Sequence, residues 1–141
     1  MTGEKRPTFE EVKAMVGKKK EEVLEIDKSV IRNFAQCIGD SNSKWKDTAP
    51  PGLLTTVIVS GSVIALKIPQ PYKRGVAAGA DWEFYKPIKL GDVITTVHEF
   101  ADIQDKSTEK GKRALIIFKS KHTNQKGELV AISTNSVISM E

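Results

Sequence analysis

The chain has few of the residues that carry most enzyme chemistry. It has two histidines and one cysteine in 141 residues, and no histidine precedes position 98. A single Cys37 cannot close an internal disulfide, which fits a reducing compartment. Its position in a helical apolar pattern marks it as a buried structural thiol rather than a nucleophile. No His/Cys spacing of a metal site is present, and no metal is expected. There is no phosphate loop, and Gly75-Val76-Ala77-Ala78-Gly79 lacks the spacing of a dinucleotide fingerprint, so no cofactor is expected. No run approaches the roughly 18 consecutive apolar residues that span a bilayer, so no membrane partner is expected. The polar start, Met1-Thr2-Gly3-Glu4-Lys5-Arg6, has no apolar core of a secretory signal, and a cytoplasmic location follows. Repeats, low-complexity tracts and linkers are missing too, which makes residues 1–141 a single expected domain.

What is present is ordinary in amount and informative in order. The 39% hydrophobic fraction can supply a core, and a chain of this size buries roughly two-thirds of the surface it exposes when unfolded. Twenty-two basic and 18 acidic residues leave a net charge of +4. The basic residues are scattered. Lys18-Lys19-Lys20 runs straight into Glu21-Glu22 and reads as a solvated loop, so no nucleic-acid partner is expected. A mild positive bias suits a phosphate-bearing ligand.

Phe9, Val12, Met15 and Val16 fall at helical spacing before Gly17. Val23 to Ile26 reads as a short strand or an extended lead-in. Asp27 or Ser29 can cap a helix whose apolar face is Val30, Ile31, Phe34, Ala35 and Ile38, with Gly39 as its left-handed terminator. Leu53 to Ile68 is apolar, bounded by Pro50-Pro51-Gly52 and Pro69. Its β-branched residues lean toward strand, but its length favours a buried helix. From Ala77 onward the pattern is β. Trp82 and Phe84 share a strand face ended by Pro87. Strands follow over Val93–Asp102, Arg113–Thr123 and Glu128–Met140, joined by polar turns. One long helix followed by such a meander predicts an α+β layer with an antiparallel sheet wrapped around a central helix.

Four segments in this order resemble the hot-dog fold of the MaoC-like hydratases and dehydratases, over roughly residues 10–140. They are Phe34 to Asn42, Ala49-Pro50-Pro51-Gly52-Leu53-Leu54, Asp81-Trp82-Glu83-Phe84 with Pro87 and Gly91-Asp92, and Asn124 to Ala131. The second is similar to the segment entering the central helix in the family's N-terminal-half subgroup. The resemblance implies hydration of a 2-enoyl thioester, or the reverse dehydration, on coenzyme A or acyl carrier protein. That reaction needs a base to manage water and the C2 proton, and donors aimed at the thioester oxygen.

Family members supply the base pair as Asp-x-x-x-x-His. Here Asp40 matches the aspartate, and Trp45 stands where the histidine is expected. Indole cannot accept a proton at neutral pH. The resemblance therefore implies the non-catalytic half of a pair: a subunit of an (R)-specific enoyl-CoA hydratase or 3-hydroxyacyl-thioester dehydratase that shapes the acyl tunnel beside a catalytic hot-dog subunit bearing Asp-x-x-x-x-His. A homodimeric acyl-CoA-binding module without catalysis is the alternative. Either is an oligomer.

Substrate contacts are expected from Trp45, Gly52, Leu53, Trp82, Phe84 and Lys86; the other reading of Trp45 is a core or interface anchor, and that of Trp82 and Phe84 is sheet core or dimer contact. Asp40 has two readings, a catalytic carboxylate or a turn residue capping local amides. Gly52 offers a backbone N–H near the central helix start. Lys73, Arg74, Lys86 and Lys89 are either coenzyme phosphate contacts or solvated surface. His98 and His122 read as surface or half-buried strand residues. A thioesterase would need a carboxylate on the central helix, and none lies between Asp47 and Asp81.

Overall fold

The computed structural model describes residues 4–57 and 61–141. Helix α1 (Phe9–Lys13) starts with a capping box: the Thr8 hydroxyl accepts from the Glu11 N–H, and the Glu11 carboxylate accepts from the Thr8 N–H. Strand β1 (Lys19–Glu25) follows, then α2 (Lys28–Cys37). Asp27 caps α2 by accepting from the Val30 N–H at 2.9 Å. Gly39 ends it at φ 69°, a conformation that costs other residues a Cβ clash. The Asp40 N–H then donates to the Ala35 carbonyl at 2.9 Å, closing the helix end.

Two segments of the first half differ from expectation. The lysine run is not a loop. Lys19 and Lys20 belong to β1, whose backbone pairs antiparallel with β5 (Val93–Asp105), Lys19 opposite Glu99 and Glu25 opposite Val93. The side chains remain in water, which is why composition alone resembled a loop. Cys37 is exposed, not buried. On α2 only Ile31 and Ala35 are fully buried. Val30 and Phe34 pack partly against the core, and Ile38 is 52% exposed. The helix covers the core with a narrow stripe, and Cys37 lies off it.

Of the helix expected over residues 53–68, the described residues form a 3-10 turn at Pro51–Leu53, α3 (Leu54–Val57) and α4 (Gly61–Leu66). Residues 58–60, Ser60 among them, lie outside the described residues. Helix α4 lies against β5 and β6 (Arg113–Thr123).

The sheet has five antiparallel strands in the order β1-β5-β6-β7-β3, with β3 at Arg74–Phe84 and β7 at Leu129–Met140. A two-stranded ladder, β2 (Thr48–Ala49) with β4 (Ile88–Lys89), sits beside it. Period-two alternation buries Ile94, Thr96, His98 and Phe100 of β5 and every second residue from Ala114 to His122 of β6. The inner face carries two apolar clusters. One joins Ile26, Ile31, Leu53, Leu54, Ile94 and Val130; the other joins Val12, Leu66, Phe100, Ile116 and Phe118. Phe100 and Phe118 meet edge to face at 5.7 Å.

Thr96, His98, Ser120, His122 and Ser133 form a polar band on this buried face. Both histidines are 1% exposed, which corrects their reading as surface or half-buried residues. Their strand register aligns them with Ile94 and Phe100, and hydrogen bonds offset the desolvation cost. His98 Nδ1 lies 2.7 Å from Ser120 Oγ, and its Nε2 lies 2.9 Å from Glu22 Oε2. His122 Nδ1 lies 2.8 Å from Thr96 Oγ1, and its Nε2 lies 3.1 Å from Ser133 Oγ.

Candidate functional site

The Lys89-Leu90-Gly91-Asp92 turn positions one wall of the site. Asp92 is buried, and its Oδ2 accepts from the Lys89 N–H at 2.8 Å while Oδ1 accepts from Gln125 Nε2 at 3.0 Å. The Leu90 N–H donates to the Asp47 carbonyl at 2.7 Å, and Ala49 pairs with Ile88. These bonds bring the loop after α2 against the end of β3.

Between them lies a cavity of about 360 Å³. Trp45, Ala49 and Pro51 form one side, and Phe84, Pro87 and Ile88 the other; Lys44 and Lys86 also border it. Its apolar lining with charged groups at the border is the composition of small-molecule sites.

Trp45 is held from two directions. Its Nε1–H donates to Asp40 Oδ2 at 2.7 Å. The Lys44 ammonium sits 4.5 Å from the indole centroid, a cation–π distance. The other oxygen of Asp40, Oδ1, accepts from the Asn42 N–H at 3.0 Å. That backbone bond, the indole bond and Lys44 keep the Asp40 carboxyl below its ordinary range. An ionised carboxylate already accepting from an amide and an indole fits the turn-capping reading, with the indole as an additional donor.

The remaining expected residues divide. Phe84 and Lys86 border the cavity with Trp45. Trp82 is half-buried behind Phe84: their rings stack at 5.7 Å, and Trp82 stacks on His122 at 5.0 Å. An aromatic ladder thus runs from the cavity wall to the buried polar band. Leu53 is fully buried in the core beside α2. Gly52 faces Phe34, whose Cζ would lie 3.3 Å from an added Cβ. Neither borders the cavity; their neighbours Ala49 and Pro51 do. Helix α3 begins directly after Leu53.

The cations divide as well. Lys86 pairs with Glu128, and this contact is the main cause holding the Glu128 carboxyl below its ordinary range. Lys89 and Lys126 border a second depression, with Asp92 and Glu128, on the far side of Pro87. Lys73 lies elsewhere, near Arg6 and Gln70, and Arg74 donates to the Glu141 carbonyl. Tyr85, which sequence reasoning left out, also borders the cavity; its hydroxyl bonds Glu83, which pushes the phenol above its ordinary range. Its signal was available as the residue between Phe84 and Lys86. Among the described residues no group of three His, Cys, Asp or Glu could hold a metal, and no helix is long and apolar enough to cross a membrane.

An antiparallel sheet packed against helices is the hot-dog architecture of the MaoC-like hydratases and dehydratases. The family described as FAS1-like, dehydratase domain region, matches residues 14–133, and the chain belongs to it. A UPF0336 protein of Parafrankia sp. (strain EAN1pec) is 25% identical over 131 residues, covering 82% of this chain and 84% of that one. The R-hydratase of Pseudomonas aeruginosa superposes with a TM-score of 0.64 at 20% identity, covering 86% of this chain and 79% of that one. A chain of the HadBC (3R-hydroxyacyl-ACP dehydratase) complex of Mycobacterium tuberculosis superposes with a TM-score of 0.70 at 14% identity, covering 88% of this chain and 96% of that one.

Proposed function

We propose that this chain is the non-catalytic half of an (R)-specific enoyl-thioester hydratase or 3-hydroxyacyl-thioester dehydratase, acting in the cytoplasm as a single hot-dog domain over residues 1–141. A second hot-dog subunit supplies the Asp-x-x-x-x-His pair, and this chain supplies a wall of the acyl tunnel. The observation that carries the reading is the Asp40–Trp45 hydrogen bond. The family's aspartate is retained, but it holds an indole where a base is required.

Edge character supports the pairing. Strand β1 is a charged edge, with Lys19, Lys20, Glu21, Glu22 and Glu25, a pattern that discourages strand addition. Strand β3 is an 11-residue edge, and its Gly75–Ala80 run is uncharged and exposed. A partner strand added there would abut the cavity at Phe84. The HadBC complex, as a dehydratase complex, supports association with a second subunit.

The charge order of β3 also favours the alternative, a homodimeric acyl-thioester-binding module. Antiparallel self-pairing about Ala78 would bring Arg74 of each copy beside Asp81 and Glu83 of the other. One experiment separates the two. The purified chain is assayed with crotonyl-CoA, alone and after co-expression with a hot-dog protein that carries Asp-x-x-x-x-His and is encoded beside it. A stable complex with activity that neither chain has alone is expected. Robust turnover by this chain alone refutes the reading, and acyl-CoA binding by a homodimer that takes up no partner replaces it with the alternative.

A further inference from the structure

We propose that Asp40 is a positioning residue: its carboxylate fixes the Trp45 indole as a rigid wall of the apolar cavity, and so sets which acyl chains the site accepts. The proposal rests on the acyl-binding reading above and deepens it. Three features carry it. First, Asp40 is anchored at both ends, its own N–H on the Ala35 carbonyl at the close of α2 and its Oδ1 on the Asn42 N–H. It is therefore a fixed point from which to hold a ring. Second, the indole bond is short, 2.7 Å, and charge-assisted, the stronger class of hydrogen bond. Third, Trp45 sits in the 3-10 turn Ser43–Lys46 at φ −78°, ψ 22°, outside regular helical geometry. A short turn with irregular backbone does little to select one side-chain direction; the bond to Asp40 and the Lys44 ammonium over the ring do. With the indole fixed, the gap between Trp45 and Phe84 has a definite width. With it released, the ring can swing and the cavity loses its shape. Ordering that a ligand would otherwise have to impose is supplied in advance.

The test compares the full-length chain with D40A, D40N and W45F, each alone and in complex with the catalytic hot-dog subunit, by calorimetric titration with butyryl-, octanoyl- and dodecanoyl-CoA. Loss of a net contribution typical of a charge-assisted hydrogen bond predicts about a tenfold weaker Kd for the preferred chain length in D40A. The preference among the three thioesters is expected to flatten at the same time. D40N keeps an oxygen that can accept from the indole and is expected to stay within about threefold of the unsubstituted chain. Because Asp40 acts through the indole N–H, the effect of D40A is expected to vanish in a W45F background, whereas a general loss of fold would persist there. The chain has two tryptophans, so its indole N–H signals number two in a nitrogen–proton correlation spectrum; D40A should move one of them strongly. Should D40A not fold, W45F and D40N carry the same comparison. Binding by the unsubstituted chain that D40A and W45F leave unaltered in strength and chain-length profile overturns the inference alone. Failure of the unsubstituted chain to bind any of the thioesters, both alone and in complex with the catalytic hot-dog subunit, overturns the acyl-binding reading together with it.

Discussion

Acidification should destabilise this protein through one buried imidazole, His122. Its ring lies on the inner face of the sheet, stacked on Trp82, and its pKa is lowered from 6.5 to about 4. Burial is the largest cause; the neighbouring His98 lowers it further, and Glu22 partly opposes them. Both ring nitrogens face hydroxyls, Thr96 and Ser133. A hydroxyl can accept as well as donate, so protonation need not break either hydrogen bond. The cost is desolvation of the charge itself. Above pH 6.5 the ring is neutral in folded and unfolded chains, and it contributes no pH dependence. Between pH 6.5 and about 4 the unfolded chain takes up a proton that the folded chain refuses, so stability falls as pH falls. Below about 4 both states are protonated and the loss is complete. A gap of about 2.5 pH units corresponds to about 3 kcal/mol, a large share of the 5–15 kcal/mol that holds a typical domain together. Urea denaturation of the unsubstituted chain and of H122Q at half-unit intervals from pH 7.5 to 4 measures it. Carboxylates titrate in both proteins, so the difference between the two curves isolates the imidazole. That difference should be flat above pH 6.5 and slope by about 1.4 kcal/mol per pH unit below it. A difference that stays constant down to pH 4 would refute the burial argument.

Two further outcomes follow from packing and edges. Phe118→Ala removes a ring 2% exposed that meets Phe100 edge to face; unfolding free energy should drop by about 3–5 kcal/mol, read from the denaturation midpoint with the slope unchanged. Val76→Lys puts a charge on the long uncharged edge of β3, where Val76 is 54% exposed. Sedimentation velocity should show weakened assembly with an unaltered circular dichroism spectrum; assembly as strong as in the unsubstituted chain would move the interface off β3.

The local signals were legible because they depend on neighbours in sequence. Asp27 caps α2 and Gly39 ends it as the sequence pattern indicates. The 124–127 turn and the Pro87-to-Asp92 segment separate strands where expected, since turn chemistry is decided within four residues. Strand edges were less legible. Strand β3 begins at Arg74 and β1 at Lys19, several residues before the apolar pattern starts, because an edge strand is held by backbone bonds that side-chain composition does not report.

For the site, sequence alone determined that Trp45 lies five residues after Asp40 in a chain with no histidine before position 98. Those are matters of identity and spacing, and no folding is needed to read them. Only the tertiary structure decided what the two residues do together. Their hydrogen bond depends on the Asp40 backbone being tied to α2 and on the irregular turn at Trp45. The cavity itself needs β2 and β4, two residues each and too short to leave any periodic trace, to bring Ala49 against Ile88. The histidines make the same point. Their alternation was visible in sequence, but which face of the sheet turned inward depended on the helices packed against it, and burial lowered the His122 pKa.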